Sequence, residues 1–239
     1  MQDKATYIQS MFSAIAGRYD LLNRWLSLRR DTAWRRFAIS KCELPANALV
    51  LDAATGTGEM AKLLMRQNSG CTVVGIDFCP AMLARARAKL STATNENRTH
   101  LIMGDVLRLP FPDDTFDCAT IGYALRNVVN IADAFREMSR VVKPGGRIVS
   151  LELTLPSSRL MRTLHHIYMW RLMQFIGTLV SGNREAYRYL PQSIAELIPP
   201  LEVKRLMEDV GLRQIELSRL TFGVATVHAG TKANHDGQR

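Results

Sequence analysis

A short run of small residues lies directly after the acidic residue Asp52. The run contains Gly56 and Gly58, and glycine lets a backbone turn tightly and approach a ligand closely. Two further carboxylates, Asp77 and Asp105, each follow a run of mainly apolar residues. A carboxylate at such a point can accept hydrogen bonds from both hydroxyls of a ribose, or from an adenine amino group. These residues predict a site for a nucleoside-containing ligand.

Strands and helices must alternate along the chain to position these carboxylates. Short β-branched runs predict strands at residues 48–53, 71–77, 99–103 and 116–121, and a fifth strand ends near Glu152. The helical segments between them predict a doubly wound α/β fold with a mostly parallel, seven-stranded sheet. Ligands of such sheets bind at the carboxyl ends of the strands, and all three carboxylates are expected there.

The whole chain, residues 1–239, is predicted to form one domain. Its predicted parts are a helical lid (1–44), a cofactor-binding core (45–155), a helical insertion beside the acceptor (156–200) and a C-terminal helix with two strands (201–239). The last two strands are predicted at 214–217 and 222–228, and a turn is predicted at 143–146, before the fifth strand.

The bulk composition narrows the class of protein. The formal net charge of +9 suits an anionic partner, but the cations are dispersed and form no basic stripe with interleaved aromatic residues, so nucleic acid is not expected. The cysteines are Cys42, Cys71, Cys79 and Cys118; they never approach CxxC spacing, so no metal site is expected. No signal peptide or membrane-spanning run is present, which predicts a cytoplasmic protein.

The turn after the first strand resembles the first motif of the class I S-adenosylmethionine methyltransferases, hhDxGxGxG. Ala54 stands where that motif usually has its first glycine. A dehydrogenase is the natural alternative, but its GxGxxG fingerprint needs a third glycine that this turn lacks. The resemblance implies S-adenosylmethionine as cofactor, bound by Asp52, Thr55, Gly56, Gly58, Ala61, Asp77, Phe78, Asp105, Val106 and Gly122. For Asp52 and Asp77, hydrogen bonding within a turn is the structural alternative.

Two longer stretches are similar to the signatures of the ubiquinone/menaquinone biosynthesis C-methyltransferases. They are residues 12–23, continued by residues 26–27 and Trp34, and residues 140–147, continued by residues 151–154. The similarity continues through residues 111–117, 124–128, 187–194 and 227–230, so it covers the chain from about Phe12 to Lys232. Four positions depart from the family pattern: Arg29 replaces a usual Gly, Asp31 a His, Ala61 a Thr and Thr154 a Ser.

This second resemblance implies methylation of a ring carbon in a prenylated quinol, with demethylmenaquinol favoured and a polyprenyl methoxy-benzoquinol of the ubiquinone pathway as the alternative. It implies that Arg126 and Asn127 orient a quinol oxygen or an intervening water, with Tyr19 on the lid side. Because an arginine stays protonated near neutral pH, Arg126 suits stabilisation of an oxyanion rather than a base. The alternatives are a solvated charge or a salt bridge to Asp105 or Asp133 for Arg126, and core packing for Tyr19.

Several interpretations stay open. The chain could be an O- or N-methyltransferase of another small molecule, because a fold does not determine the acceptor. A nucleic-acid methyltransferase is disfavoured, since the loop after strand four lacks a Pro-Pro-aromatic sequence, and a non-catalytic S-adenosylmethionine-binding protein is the third alternative. Residues 160–180 predict either a helix packed on the sheet or a passage for the prenyl tail, with Arg159, Arg162 and Arg171 near anionic head groups at the inner face of the cell membrane. A homo-oligomer also stays open.

Overall fold

The computed structural model describes residues 4–91, 98–180 and 184–234, with the side chains of residues 4, 5, 26, 170, 172–180, 184–188 and 190 left out. Within these ranges the strands are β1 (Leu49–Ala53), β2 (Thr72–Asp77), β3 (Thr99–Met103), β4 (Phe116–Gly122), β5 (Val142–Leu153), β6 (Leu212–Leu220) and β7 (Ala225–Lys232). The helices there are α1 (Lys4–Ile15), α2 (Tyr19–Leu26), α3 (Asp31–Ser40), α4 (Glu59–Gln67), α5 (Pro80–Ser91), α6 (Ile131–Val141), α7 (Arg159–Val180), α8 (Arg184–Glu196) and α9 (Pro200–Asp209).

The seven strands form one sheet in the order β3-β2-β1-β4-β5-β7-β6. Neighbouring strands from β3 to β5 run parallel, whereas β7 runs antiparallel to both β5 and β6. The predicted doubly wound, mostly parallel sheet is therefore confirmed. The strand order reverses between β1 and β4, and a crevice for ligands opens at such a point.

The strand register brings the predicted cofactor residues to one edge of the sheet. Ala53, the last residue of β1, lies opposite Ile76 in β2 and Ile121 in β4. The turn after β1, Asp77 at the end of β2 and Gly122 at the end of β4 therefore lie side by side.

Alternate residues of the central strands face opposite layers of the core, as the two-residue period of a strand requires. One layer includes Val50, Val73, Cys118 and Val149 and packs with side chains of α3 and α4. The other includes Leu51, Val74, Ala119 and Ile148 and packs with side chains of α6 and α9. Burial on both faces explains why these strands read as nearly continuous apolar runs.

Two predictions about the C-terminal half are wrong in detail. Phe222 was expected in the last strand, but it lies in a 3₁₀ turn (Thr221–Gly223) with φ +59° and is 73% exposed. A left-handed residue cannot continue an extended strand, so β7 begins only at Ala225. The Lys143–Gly146 segment was expected as a turn before the fifth strand, but it lies inside β5, where the register with β4 shifts.

The N-terminal helices and α7 lie over the functional edge of the sheet. α2 contacts α7, α1 contacts α5 and α8, and α3 packs against α4 and β5. Lys89 of α5 ties α2 to the cofactor turn, since its Nζ lies 2.6 Å from the carboxylates of both Asp20 and Glu59. Among the described residues, no helix has the length and apolar character needed to cross a bilayer.

Candidate active site

The turn after β1 has the backbone shape that its small residues predict. Ala54, Gly56 and Gly58 all have positive φ angles, of +51°, +57° and +79°. A Cβ added to Gly56 would meet no atom within 4 Å, so the backbone there borders open space. Gly58 instead packs tightly, because an added Cβ would lie 3.1 Å from Leu90. The turn therefore presents Gly56 to a ligand and uses Gly58 to start α4.

The Asp52 carboxylate is hydrogen-bonded within the protein. Its Oδ2 accepts a hydrogen bond from Thr55 Oγ1 (2.6 Å) and its Oδ1 accepts one from Thr120 Oγ1 (2.9 Å). The backbone N–H of Ala61 also donates to this carboxylate. Burial raises the pKa of Asp52 to about 6, although these hydrogen bonds oppose the shift. Asp52 thus stabilises the turn and also lines a small cavity beside it.

Asp77 lines a cavity at this end of the sheet. This cofactor cavity, of about 100 Å³, is lined by Tyr19, Gly56, Asp77, Phe78, Met82, Asp105, Val106, Gly122, Tyr123 and Asn127, among others. Each Asp77 oxygen accepts one backbone N–H, from Gly56 and Cys79, both at 2.8 Å. A carboxylate has about four acceptor positions, so Asp77 keeps free capacity for ligand hydroxyls. Burial raises the pKa of Asp77 as well.

Most of the predicted cofactor residues line one or both of two cavities. Phe78, Asp105, Val106 and Gly122 line the cofactor cavity beside Asp77. Asp52, Thr55, Gly56 and Gly122 line the turn cavity, a smaller space of about 40 Å³ that also contacts Arg35. Gly58 and Ala61 line none of the three cavities described in this section; Ala61 is fully buried in the core.

A third cavity, the apolar cavity, lies on the other side of Tyr123. It measures about 250 Å³ and is lined by Asn23, Ser27, Leu28, Arg30, Asp31, Trp34, Tyr123, Arg126, Leu153, Met161, Leu164, His165, Tyr168, Met169, Ile194, Thr221 and Val224. Leu164, Tyr168 and Met169 belong to the helix that was predicted to border a prenyl passage. The other α7 residues predicted for it, at 172, 173, 175 and 176, have side chains outside the described part of the chain.

Arg126 is a buried cation in the wall of the apolar cavity. It lies in a 3₁₀ turn (Leu125–Asn127) after β4, and its Nη1 forms an ion pair with Glu152 of β5. This partner differs from Asp105 and Asp133, which the sequence offered. Burial opposes the charge on Arg126, but Glu152, Tyr19 and Tyr189 together outweigh that effect and the pKa of Arg126 is raised. Its Nε has no hydrogen-bond partner among the described residues. Arg126 thus lines an apolar space with one N–H of its buried guanidinium unpartnered.

Asn127 and Tyr19 both line the cofactor cavity, whereas Arg126 lines the apolar cavity. The Asn127 side-chain oxygen accepts a hydrogen bond from Tyr189 of α8 (2.9 Å), which connects the insertion to this cavity. Tyr19 also lines the turn cavity, and its ring packs edge-on against Phe12. The three residues predicted for catalysis therefore border three adjoining cavities.

Sequence reasoning missed two features of the site. The first is that Tyr123 lines all three cavities; the sequence placed this residue only after the fourth strand, at the edge of the sheet. The second is a buried ion pair on α3 between Arg35 and Asp31, with Nη1 and Oδ2 2.5 Å apart. Asp31 had been noted only as a departure from a family pattern, and its partner one helical turn later was a readable signal.

Comparisons with known proteins agree with this architecture. Residues 1–232 match the profile of the ubiE/COQ5 methyltransferase family. The chain is 43% identical over 222 residues to a demethylmenaquinone methyltransferase of Thermus thermophilus, covering 93% of this chain and 100% of that protein. It is 40% identical over 233 residues to the ubiquinone/menaquinone biosynthesis C-methyltransferase UbiE of Geotalea daltonii, covering 97% of this chain and 99% of that one.

Solved structures share the fold at low sequence identity. A methyltransferase of Haloferax volcanii, determined with its Trm112 activator, superposes with a TM-score of 0.67 at 19% identity, over 93% of this chain and 98% of that one. Phosphoethanolamine N-methyltransferase 2 of Haemonchus contortus, determined with S-adenosyl-L-methionine, gives 0.63 at 15% identity, over 83% of this chain and 52% of that one. The full-length sequence match together with the shared fold shows that the chain belongs to the ubiE/COQ5 methyltransferase family.

Proposed function

We propose that this protein transfers the methyl group of S-adenosylmethionine to a ring carbon of a prenylated quinol, converting demethylmenaquinol to menaquinol. The observation that carries the proposal is the pair of adjoining cavities on either side of Tyr123, one bordered by carboxylates and one mainly apolar. The names of the Thermus and Geotalea relatives support the quinol as acceptor.

The residues of the cofactor cavity fit S-adenosylmethionine. Asp77 keeps acceptor capacity for ribose hydroxyls, while Phe78, Met82 and Val106 offer apolar contacts to a base. The open space at Gly56 allows a ligand to approach the backbone closely. In the turn cavity, the Arg35 guanidinium suits a carboxylate. When bound, S-adenosylmethionine supplies an electrophilic methyl group on a sulfonium.

Arg126 suits the task of activating the quinol. A ring carbon becomes a good nucleophile when the neighbouring phenol loses its proton and negative charge spreads onto the ring. A fixed cation with a free N–H in a water-poor cavity stabilises such an oxyanion strongly, because little reorganisation is needed. Arg126 provides this charge and its unpartnered Nε, and Glu152 holds the side chain in place.

His165 suits the task of accepting the phenol proton. It lines the apolar cavity. Burial, together with the neighbouring His166, lowers the pKa of His165. The imidazole is therefore mostly neutral near pH 7 and able to take up a proton. A protonated Arg126 and a neutral His165 provide the two complementary functions that the ring needs.

We propose further that the mouth of the apolar cavity contacts a lipid surface. Large apolar side chains are exposed around it. Leu28 (66% exposed) and Leu164 (52% exposed) line the cavity. Leu160 and Phe222 are chain neighbours of lining residues, and the Trp25 carbonyl accepts a hydrogen bond from the lining residue Tyr168. Two exposed cations are chain neighbours of these apolar residues: Arg29 follows Leu28, and Arg159 precedes Leu160. Exposed apolar side chains next to cations are suited to an anionic membrane interface, from which a prenyl tail could enter.

The activity is tested by incubating the purified protein with methyl-labelled S-adenosylmethionine and a panel of prenylated naphthoquinols, prenylated benzoquinols and tRNA. We expect label on a ring carbon of demethylmenaquinol at the highest rate. Preference for the benzoquinol would correct the acceptor. Label on oxygen, or only on RNA, would refute the proposed function.

The lipid contact is tested by co-sedimentation with vesicles of phosphatidylcholine, with and without phosphatidylglycerol. We expect binding to the anionic vesicles that weakens with salt and falls at least roughly tenfold in a Leu28→Gln, Leu164→Gln double variant, since burying each leucine contributes about 1.5–3 kcal/mol. An exposed Leu201→Gln variant is the control. Absence of binding at low salt would reject the contact without touching the activity.

A further inference from the structure

Tyr123 occupies the wall that separates the three cavities. It directly follows β4, and its backbone N–H donates to the Leu151 carbonyl at 2.7 Å. Its φ angle is +58°, a left-handed conformation that costs a bulky residue free energy. This conformation fixes the side chain at the junction of the cofactor, turn and apolar cavities. Strained residues held by their surroundings are frequent at ligand sites.

The phenol of Tyr123 is buried without a partner. The residue is only 8% exposed, and its hydroxyl makes no hydrogen bond to any described residue. An unsatisfied buried hydroxyl destabilises the folded state, and most buried polar groups in native proteins have a hydrogen-bond partner. A ligand oxygen in one of the adjoining cavities would supply the missing partner.

The surroundings of Tyr123 favour the protonated phenol. Burial raises its pKa most; the Arg35 guanidinium, 4.9 Å from the ring centroid, opposes the shift, and the carboxylates of Asp31 and Glu152 reinforce it. The hydroxyl therefore keeps its proton throughout the physiological pH range. Tyr123 is suited to donate a hydrogen bond and unsuited to act as a base.

Two ligands could receive this hydrogen bond, and the distribution of charge distinguishes them. A carboxylate in the turn cavity already meets Arg35, which is a stronger donor than a phenol. Two residues with unpartnered buried donors, Tyr123 and Arg126, line the apolar cavity together. We propose that the Tyr123 hydroxyl donates a hydrogen bond to a ring oxygen of the quinol, an assignment that rests on the proposed function.

Such a contact would orient the acceptor as well as bind it. A flat ring with a flexible tail can rotate in an apolar cavity, and methyl transfer needs one carbon aligned at about 3–3.5 Å from the methyl group. A donor at the wall between the cavities anchors the ring at its end nearest the cofactor. Tyr123 then selects acceptors that carry an oxygen beside the methylated position, and it disfavours purely hydrocarbon rings.

The test removes only the hydroxyl, in a Tyr123→Phe variant. The ring over Arg35 is retained, and the loss of an unsatisfied buried hydroxyl should not lower stability. We expect kcat/KM for demethylmenaquinol to fall roughly tenfold, the value of one hydrogen bond, with the Kd of S-adenosylhomocysteine within twofold of wild type. Unchanged turnover, or a loss confined to S-adenosylhomocysteine binding, would overturn the assignment.

Ligands with one oxygen fewer separate a direct contact from a structural effect. The Kd of a prenylated 1,4-naphthalenediol analogue and of the two corresponding single-hydroxyl naphthols is measured for wild type and Tyr123→Phe. We expect the variant to bind the diol and one naphthol more weakly, and the other naphthol as wild type does. An equal loss for all three would reject the hydrogen bond. If wild type methylates no quinol, the proposed function fails and this assignment fails with it; normal methylation with an unaffected variant rejects only Tyr123.

Discussion

The cofactor side and the acceptor side of this site differ in how far the protein satisfies its own polar groups. In the turn and cofactor cavities, Asp52 accepts hydrogen bonds from the Thr55 and Thr120 hydroxyls, and Asp77 accepts them from the Gly56 and Cys79 backbone. In the apolar cavity, Arg126 Nε and the Tyr123 hydroxyl lack partners among the described residues. The carboxylates that are hydrogen-bonded within the protein stabilise the cofactor turn, whereas the unpartnered donors remain available to a substrate.

The largest effect is expected on the acceptor side, in an Arg126→Lys variant. A lysine can still pair with Glu152 but lacks the planar, multi-donor guanidinium. We expect kcat for quinol methylation to fall about 100-fold, as for loss of one oxyanion donor, while S-adenosylhomocysteine binding stays unchanged. Steady-state kinetics and calorimetry measure the two quantities, with the exposed Arg66→Lys as control. Equal losses in both would show that the two sides are not separable.

The second prediction concerns pH and the internally bonded Asp52. Its folded pKa of about 6 exceeds the ordinary value of 3.8, so the folded state binds more protons between these values and stability falls as pH rises through them. Between pH 3.8 and pH 7 we expect the free energy of unfolding of wild type to fall by about 3 kcal/mol relative to that of Asp52→Asn. Urea unfolding of both proteins across this range gives the difference. Parallel pH curves would contradict the account of Asp52.

The third prediction sharpens the contrast between the two carboxylates. Asp77→Ala removes an acceptor with free capacity toward the ligand, so we expect S-adenosylhomocysteine to bind about 10–100-fold more weakly, in line with loss of charged hydrogen bonds. Asp77→Asn, which keeps one carbonyl oxygen, should lose less. Calorimetry measures both. Wild-type affinity in the alanine variant would remove Asp77 from the cofactor site.

The smallest effect is expected at Arg29, beside the mouth of the apolar cavity. Arg29 has φ +63° at the position where the sequence departs from a usual glycine. A left-handed φ costs a non-glycine residue about 1–2 kcal/mol. A glycine avoids this cost, but part of the benefit is lost because glycine gives the unfolded chain more conformational entropy. We expect Arg29→Gly to be more stable by about 0.5–1 kcal/mol in urea unfolding. Lower stability would mean that the arginine makes a compensating contact.

The difference between the cofactor side and the acceptor side also explains what could be predicted from the sequence. The turn from Asp52 to Gly58 is a local pattern, and the strand register alone brings it beside Asp77 and Gly122. The sheet and most of its strands were predictable for the same reason, because burial on both faces leaves continuous apolar runs.

The apolar cavity could not be predicted in this way. Its walls come from α2, α3, α7, α8 and the turn at Thr221–Gly223, segments up to about two hundred residues apart. The ion pair of Arg126 with Glu152 depends on how a 3₁₀ turn faces the end of β5, which no spacing in the chain encodes. Phe222 was placed in a strand because its left-handed backbone has no glycine to mark it.

The most direct measurement is a crystal structure of the protein with S-adenosylhomocysteine and a prenylated naphthoquinol analogue. We predict the cofactor at Asp77 and the ring in the apolar cavity, with one ring carbon about 5 Å from the sulfur, the sum of one S–C bond and a near-attack distance. A ring oxygen should lie within hydrogen-bonding distance of Arg126. A naphthoquinol bound outside the apolar cavity, with every ring carbon beyond about 8 Å from the sulfur, would contradict the two-cavity account.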